Sequence, residues 1–146
     1  MGFAKLENRE LLQQIEHWRG QAQCGQSVID EVVIETIIAS YGQKVGRTTF
    51  DTAIMIGRLE QALFSFVPVR KIPRQTVRRH LCPGMRANDR TVRAALIEKF
   101  AAQDKKRGKG TTQNPDFFYG FANDVWAAFA VGATYLDLKK EETTNQ

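Results

Sequence analysis

Two carboxylates, Glu35 and Asp124, stand at the edges of otherwise apolar segments of the chain. Glu35 follows the run from Val32 to Ile34, and Asp124 opens an alanine-rich segment far downstream. Burying an unpaired carboxylate is costly, so an acid in such a place usually meets a metal cation, an arginine or several hydrogen-bond donors. The pattern favours metal-dependent phosphodiester chemistry, with an arginine partner for Glu35 and a helix-cap role for Asp124 as the alternatives.

The length and composition predict one globular domain, residues 1–137, followed by a polar, disordered tail, residues 138–146. Lysine and arginine outnumber the acids by 21 to 16, and the formal charge of +5 makes an anionic partner plausible. Cys24 and Cys82 are too few for a disulfide framework, and no stretch is long and apolar enough to span a membrane. We therefore expect a cytoplasmic protein without a membrane partner.

Apolar periodicity and turn residues predict the order of the elements. A helix over residues 9–19, capped by Asn8 and ended by Gly20, precedes a central strand over residues 31–37 that is buried on both faces. Residues 2–6 have the pattern of a strand interior. The later elements are a helix from Thr48 or Thr49 to near Pro68, a strand over residues 69–72, a helix over residues 75–81, a helix capped by Asn88, and a last helix from Asn123 or Asp124.

Basic residues gather in two places that offer phosphate contacts to DNA. One is the arginine-rich corner around the predicted helix over residues 75–81, and the other is a mobile basic loop over residues 103–115, which lacks any apolar period. An ordinary solvated surface is the alternative for both. The candidate DNA-binding residues are Arg74, Arg78, Arg79, Arg86, Arg90, Lys105, Lys106, Arg107 and Lys109.

Seven phrases, in order along the chain, resemble the RuvC-type Holliday-junction resolvases, especially their compact phage forms. The phrases are Val33-Ile34-Glu35, Ile38-Ala39-Ser40-Tyr41-Gly42 with Val45-Gly46, Ile56-Gly57-Arg58, Arg74 with Val77-Arg78, Asn88-Asp89 with Val92-Arg93, Lys109-Gly110-Thr111 with Asn114-Pro115, and Tyr119-Gly120 before Asp124-Val125-Trp126-Ala127-Ala128. The resemblance covers most of the chain after residue 30. It implies an α/β fold of the RNase H-like type, in which helices flank a mixed sheet.

The resemblance also implies a function, that of a metal-dependent endonuclease of phage or prophage origin that resolves four-way junctions or other branched DNA as a homodimer. Glu35 and Asp124 match the second and third acids of the family pattern, which are catalytic and bind Mg²⁺ or Mn²⁺. Arg78 falls closest to a DNA-contacting position of the family. Tyr41 matches an aromatic residue that stacks on an unpaired base at the branch point, and loop packing is the alternative for it.

The chain departs from the family pattern in two places. The family opens with a strand that carries the first acid, and no equivalent precedes the predicted first helix, so residues 2–6 resemble the third strand of an N-terminally truncated fold. The position three residues after Asp124, acidic in the cellular bacterial enzymes, is Ala127. We therefore expect reduced or absent cleavage by this chain, with a non-catalytic DNA-binding remnant as the alternative function. A small protein-interaction module is the third hypothesis.

Overall fold

A computed structural model describes residues 2–26, 29–37, 46–84, 86–101 and 107–144. These residues contain five helices and two strands. In chain order the elements are α1 (Asn8–Gln23), β1 (Val32–Thr36), α2 (Arg47–Leu63), β2 (Val69–Pro73), α3 (Arg74–Leu81), α4 (Asp89–Ala101) and α5 (Asn123–Thr144). This combination confirms the α/β class.

The described residues cluster into two compact units. We call residues 4–74 the N-terminal unit, and residues 75–144 together with Gly2 and Phe3 the C-terminal unit. The first contains α1, β1, α2 and β2, and the second contains almost all of α3 together with α4 and α5. The predicted single domain over residues 1–137 stays a prediction.

The sheet of the N-terminal unit pairs β1 with β2 in parallel, with Val32 opposite Val69 and Thr36 opposite Pro73. Parallel strands require a crossover connection, which α2 supplies between them. All five residues of β1 are only partly buried, whereas the apolar run predicted a strand buried on both faces. Within the described residues β1 has one neighbouring strand, β2, so the predicted central place in the sheet is not seen there.

The core of the N-terminal unit is aliphatic and centres on the buried side chains of Ile15, Leu63 and Val67. Partly buried hydrophobic residues from both helices and both strands pack against this cluster. The first helix is longer than predicted at both ends. Asn8, predicted as its cap, is its first residue and Glu7 occupies the cap position, while Gly20 lies inside the helix, which ends at Gln23. Gly25, with φ of +70°, adopts the left-handed conformation just after the helix end, which glycine reaches without a steric penalty.

The core of the C-terminal unit is aromatic. Phe118 is completely buried, and its ring stacks on that of Trp126 with centroids 4.5 Å apart. Phe121 meets both rings edge to face, and Leu96 of α4 is also completely buried. The side chain of Asn88 accepts hydrogen bonds from the first turn of α4, which confirms the predicted cap.

Two predicted elements differ from the structure at the ends of the chain. Residues 2–6 are not a strand, and Phe3 instead packs edge to face against Phe121, with ring centroids 4.9 Å apart. An alternating pattern makes a strand only where a partner strand supplies its hydrogen bonds, and the pattern itself does not reveal the partner. Residues 138–144, predicted as part of the disordered tail, belong to α5.

Candidate functional site

Glu35 lies near the carboxyl end of β1, opposite Ile72 of β2. Its side chain is 30% exposed, and its Oε1 lies 3.8 Å from Nε of Arg74, the first residue of α3. The two groups form an ion pair that is longer than a good hydrogen bond. The structure therefore brings two predicted site residues together, and it shows the arginine partner that was the alternative for this acid.

A second pair of the same kind, which the sequence analysis missed, lies at the other end of the sheet. Oε1 of Glu31, the residue before β1, is 3.8 Å from Nε of Arg70 on β2. In both pairs the arginine follows the acid by the same number of positions in the sequence, and the parallel pairing of β1 with β2 brings each acid near its arginine. Such a register becomes visible only once the two strands are paired.

Asp124 lies in the first turn of α5 and is exposed. The helix begins one residue earlier, at Asn123, so the acid is inside the helix and does not occupy its cap position. A carboxylate in the first turn is stabilised by the partial positive charge of the helix amino terminus. Glu35 belongs to the N-terminal unit and Asp124 to the C-terminal unit, so the surroundings of each acid are given by the residues of its own unit.

Metal ligands are sparse in the part of the chain that the structure describes. There, no group of three or more histidine, cysteine, aspartate or glutamate side chains lies close enough together to hold an ion. A pair of divalent ions needs several carboxylates, so the described acids do not make a complete two-ion site.

The predicted DNA-binding residues fall into three groups. Arg78 donates to Oδ1 of Asp89 at 2.7 Å, so its charge is engaged in an ion pair on the surface. Tyr41, Lys105 and Lys106 lie outside the described residues. The exposed members are Arg74, Arg79, Arg86, Arg90, Arg107 and Lys109. These exposed residues other than Arg74 belong to the C-terminal unit, which therefore carries most of the predicted phosphate contacts.

Arg93 of α4 is a candidate binding residue that the sequence analysis did not select. Its guanidinium carbon lies 5.1 Å from the ring centroid of Trp126, and its Nη2 donates to Oδ1 of Asn123 at 3.3 Å. A guanidinium that stacks on an aromatic ring is held in place before a ligand arrives. The available signal was only its place in the phrase Val92-Arg93, because its partners lie more than 25 residues away in the sequence.

Residues 107–115 are the described part of the segment predicted as a mobile basic loop. They are held by backbone hydrogen bonds, from Phe118 to the carbonyl of Gly108 at 2.6 Å and from Thr111 to the carbonyl of Asn114 at 2.9 Å. Gly110 has φ of +66°, and a Cβ atom there would lie 2.3 Å from the Asn114 carbonyl oxygen, so only glycine fits. This turn fixes the backbone that carries Lys109.

A polar cluster joins the three helices of the C-terminal unit. The carboxylate of Asp137 on α5 accepts a hydrogen bond from Nζ of Lys99 on α4 and lies 3.1 Å from Nε2 of His80 on α3. Partial burial raises the pKa of Asp137, but the hydrogen bonds from Lys99 and His80 outweigh that effect and hold the pKa below its ordinary value. The cluster therefore acts as an ionic link among the helices.

Comparisons with known proteins leave the family open, because no protein-family model matches the chain and no curated protein is detectably similar to it. Within the described part of the chain, every helix falls short of the length or the hydropathy that a membrane span requires.

Proposed function

We propose that this chain is a metal-dependent endonuclease of the RuvC resolvase type that acts on four-way junctions or other branched DNA. The observation that carries the proposal is the setting of the two acids that match the family pattern. Glu35 lies on a strand of the parallel sheet and Asp124 lies in the first turn of the last helix, which are the kinds of element that the resemblance requires. The exposed arginines of the C-terminal unit supply phosphate contacts.

The accessibility of Glu35 suits a metal ligand. Its side chain is partly exposed, and the 3.8 Å contact with Arg74 is an ion pair that a stronger cation can replace. Mg²⁺ takes six oxygen ligands and keeps several waters, so two acids fit one hydrated ion in number and type, although not a pair of ions. Such an ion would stabilise negative charge on the phosphate oxygens, and the resemblance assigns Glu35 and Asp124 as its ligands.

The experiment that tests the proposal measures nicking of an end-labelled four-way junction by the full chain, with Mg²⁺ or with a chelator. We expect slow nicking that requires the ion, and a loss of roughly 100-fold or more in Glu35→Gln, since even the residues that support metal ligands change activity by roughly 10–100-fold. Junction binding in the presence of chelator should survive this substitution.

Glu31→Gln is the matched control, because Glu31 stands next to the same strand and lies at the same 3.8 Å from an arginine. It removes one ion pair of the sheet without touching the acid that matches the family pattern. Nicking that declines equally in the two variants would reduce the role of Glu35 to structural support of the sheet.

A second candidate function, a DNA-binding protein without catalysis, is favoured by two observations. Glu35 already has Arg74 as its partner, and no group of three metal-ligating side chains exists within the described ranges. In the junction experiment this function predicts binding that weakens with salt, no nicking with Mg²⁺ or Mn²⁺, and no effect of Glu35→Gln on binding.

We extend the proposal to the fold, the assembly and the compartment. A parallel strand–helix–strand unit, as in β1, α2 and β2, is compatible with an RNase H-like sheet of which the described residues form a part. A homodimer suits a four-way junction, because two-fold symmetry offers one active site to each of two strands. The lack of a membrane-spanning helix among the described residues is compatible with action in the cytoplasm.

A further inference from the structure

A cavity of about 740 Å³ opens beside α4 in the C-terminal unit, and no role has yet been assigned to it. Three arginines line it, Arg90, Arg93 and Arg107, together with three small or apolar side chains, Ala94, Ile97 and Ala101. Its volume is within the range of about 300–1,000 Å³ that is typical of small-molecule sites. Residues 102–106, between Ala101 and Arg107, lie outside the described residues.

Contacts within the C-terminal unit hold the side chain of Arg93. The ring of Trp126 and the side-chain oxygen of Asn123 hold its guanidinium group, as described above. Its Nε is buried, yet it has no hydrogen-bond acceptor among the described residues. A guanidinium group that is held in this way is already positioned before an anion arrives, which lowers the entropic cost of binding.

Two acids also line the cavity, and neither cancels the three arginines. Asp89 accepts the 2.7 Å hydrogen bond from Arg78, which is not a lining residue, so its charge is compensated from elsewhere. Glu98 is exposed to solvent, as are Arg90 and Arg107, so its charge is screened to the same degree as theirs and offsets only one of the three arginines. The cavity therefore combines an excess of positive charge with an apolar wall.

This combination selects the chemistry of the ligand. Guanidinium groups bind phosphate through paired, charge-assisted hydrogen bonds, and an apolar wall accepts the face of a nucleobase or a sugar. We propose that the cavity binds one nucleotide, with its phosphate on the arginines and its base against Ala94 and Ile97. The inference rests on the proposed function, because an unpaired nucleotide at a DNA branch point is the natural source of this ligand.

Arg93 links the cavity to the beginning of α5, which carries the candidate acid. Arg93 hydrogen-bonds to Asn123, and Asn123 is followed directly by Asp124. A phosphate held by Arg93 therefore lies close to the helix turn that carries the candidate acid. The site would position the strand next to the bond to be cut, which makes Arg93 a positioning residue.

The test titrates the full chain with thymidine 5′-monophosphate, thymidine and inorganic phosphate, and follows backbone amide shifts by NMR. We expect the monophosphate to bind about tenfold more tightly than thymidine, because a charge-assisted phosphate contact is added. The shifts should centre on α4 and on the beginning of α5. Equal affinity for thymidine and its monophosphate would overturn the inference.

Two variants with matched controls separate the cavity from general surface charge. Ala94→Trp fills the cavity from an exposed helix position, and Ala53→Trp makes the same change at an exposed position of α2. Arg90→Gln removes a lining charge, and Arg47→Gln removes an arginine that is 95% exposed on α2. We expect losses of about tenfold for Ala94→Trp and Arg90→Gln, and of less than about twofold for the controls. Equal losses in a variant and its control would overturn the inference.

The outcome is distinguishable from failure of the proposed function. If the wild-type chain nicks a four-way junction but no titration shows monophosphate binding, the cavity inference alone is wrong. If the monophosphate binds with the expected variant pattern but the junction is neither bound nor nicked, the inference stands and the proposed function fails.

Discussion

In the N-terminal unit arginines pair with acids across the sheet, whereas in the C-terminal unit three arginines surround a cavity. Glu31 and Glu35 each lie 3.8 Å from an arginine, so the acids and bases of the sheet compensate one another. Around the cavity, Arg93 is held by an aromatic ring and retains a buried donor with no acceptor among the described residues. A metal ion must displace an arginine at Glu35, but a phosphate can bind to Arg93, whose guanidinium group is already held in position. Binding and cleavage should therefore be separable.

The two units also differ in their cores, because the core of the N-terminal unit is aliphatic and that of the C-terminal unit is aromatic. Truncation of a buried aromatic ring should therefore destabilise the C-terminal unit strongly. Phe118→Ala removes a completely buried ring that contacts Trp126, and we expect a loss of about 3–5 kcal/mol in the free energy of unfolding. Phe64→Ala is the control, because that ring is 79% exposed, and it should cost less than about 0.5 kcal/mol. Urea unfolding followed by circular dichroism measures both, and similar losses would contradict the assigned core.

The turn over residues 107–119 supplies the backbone of Arg107 and Lys109, so it should be rigid. Gly110→Ala forces a Cβ to within 2.3 Å of a carbonyl oxygen at positive φ, and we expect a destabilisation of about 1–3 kcal/mol. At Gly132 in α5 an added Cβ meets nothing within 4 Å in the described part of the chain, so Gly132→Ala should stabilise by about 0.5–1 kcal/mol. Thermal unfolding compares them, and a neutral Gly110→Ala would show that the turn is not fixed.

The link at Asp137 should make the stability of the C-terminal unit depend on pH. Because the folded pKa of Asp137 lies below the unfolded value of about 4, its contribution is complete above that value and is lost as the pH falls through the folded pKa. We expect Asp137→Asn to cost about 1–2 kcal/mol at neutral pH and progressively less below about pH 4.

Denaturant unfolding at neutral and acidic pH measures this difference. Glu141→Gln, at an exposed position of the same helix, is the control and should change the free energy of unfolding by less than about 0.5 kcal/mol at either pH. A cost for Asp137→Asn that stayed constant down to acidic pH would show that the carboxylate charge does not stabilise the link.

The smallest effect concerns the salt dependence of DNA binding. Each arginine that contacts a phosphate adds about one unit to the slope of log affinity against log salt concentration. Arg86→Gln, which removes an exposed arginine of the C-terminal unit, should lower the slope by about that amount. Arg70→Gln, which removes a sheet arginine already paired with Glu31, should leave it unchanged. Fluorescence anisotropy over a salt series measures both slopes. Equal slopes for the two variants would contradict the predicted difference between the units.

Local patterns predicted much of the secondary structure. The Asn88 cap and the beginnings of α2 and α5 agree with the structure to within one or two residues, because caps and apolar periodicity depend on neighbours in the sequence. The end of α1 was predicted too early, because a helix tolerates glycine in its interior at a cost of about 1 kcal/mol. Gly20 is such a residue.

The candidate site was only partly predictable. Glu35, Asp124 and the exposed arginines were selected from residue type and resemblance. Three contacts of the site were not predicted: the pairing of Glu35 with Arg74, the stacking of Arg93 on Trp126 and the link at Asp137. Each joins residues of different elements that lie 33 to 57 positions apart in the sequence. Such contacts depend on how elements pack, and no local pattern encodes them.

The most direct test of the central claim compares a four-way junction with a linear duplex of the same sequence, incubated with the wild-type chain and Mg²⁺. We expect the junction to be bound more tightly than the duplex and to be nicked near the branch point, and we expect a chelator to stop the nicking but not the binding. Equal affinity for the two DNAs, or equal nicking of both, would contradict it.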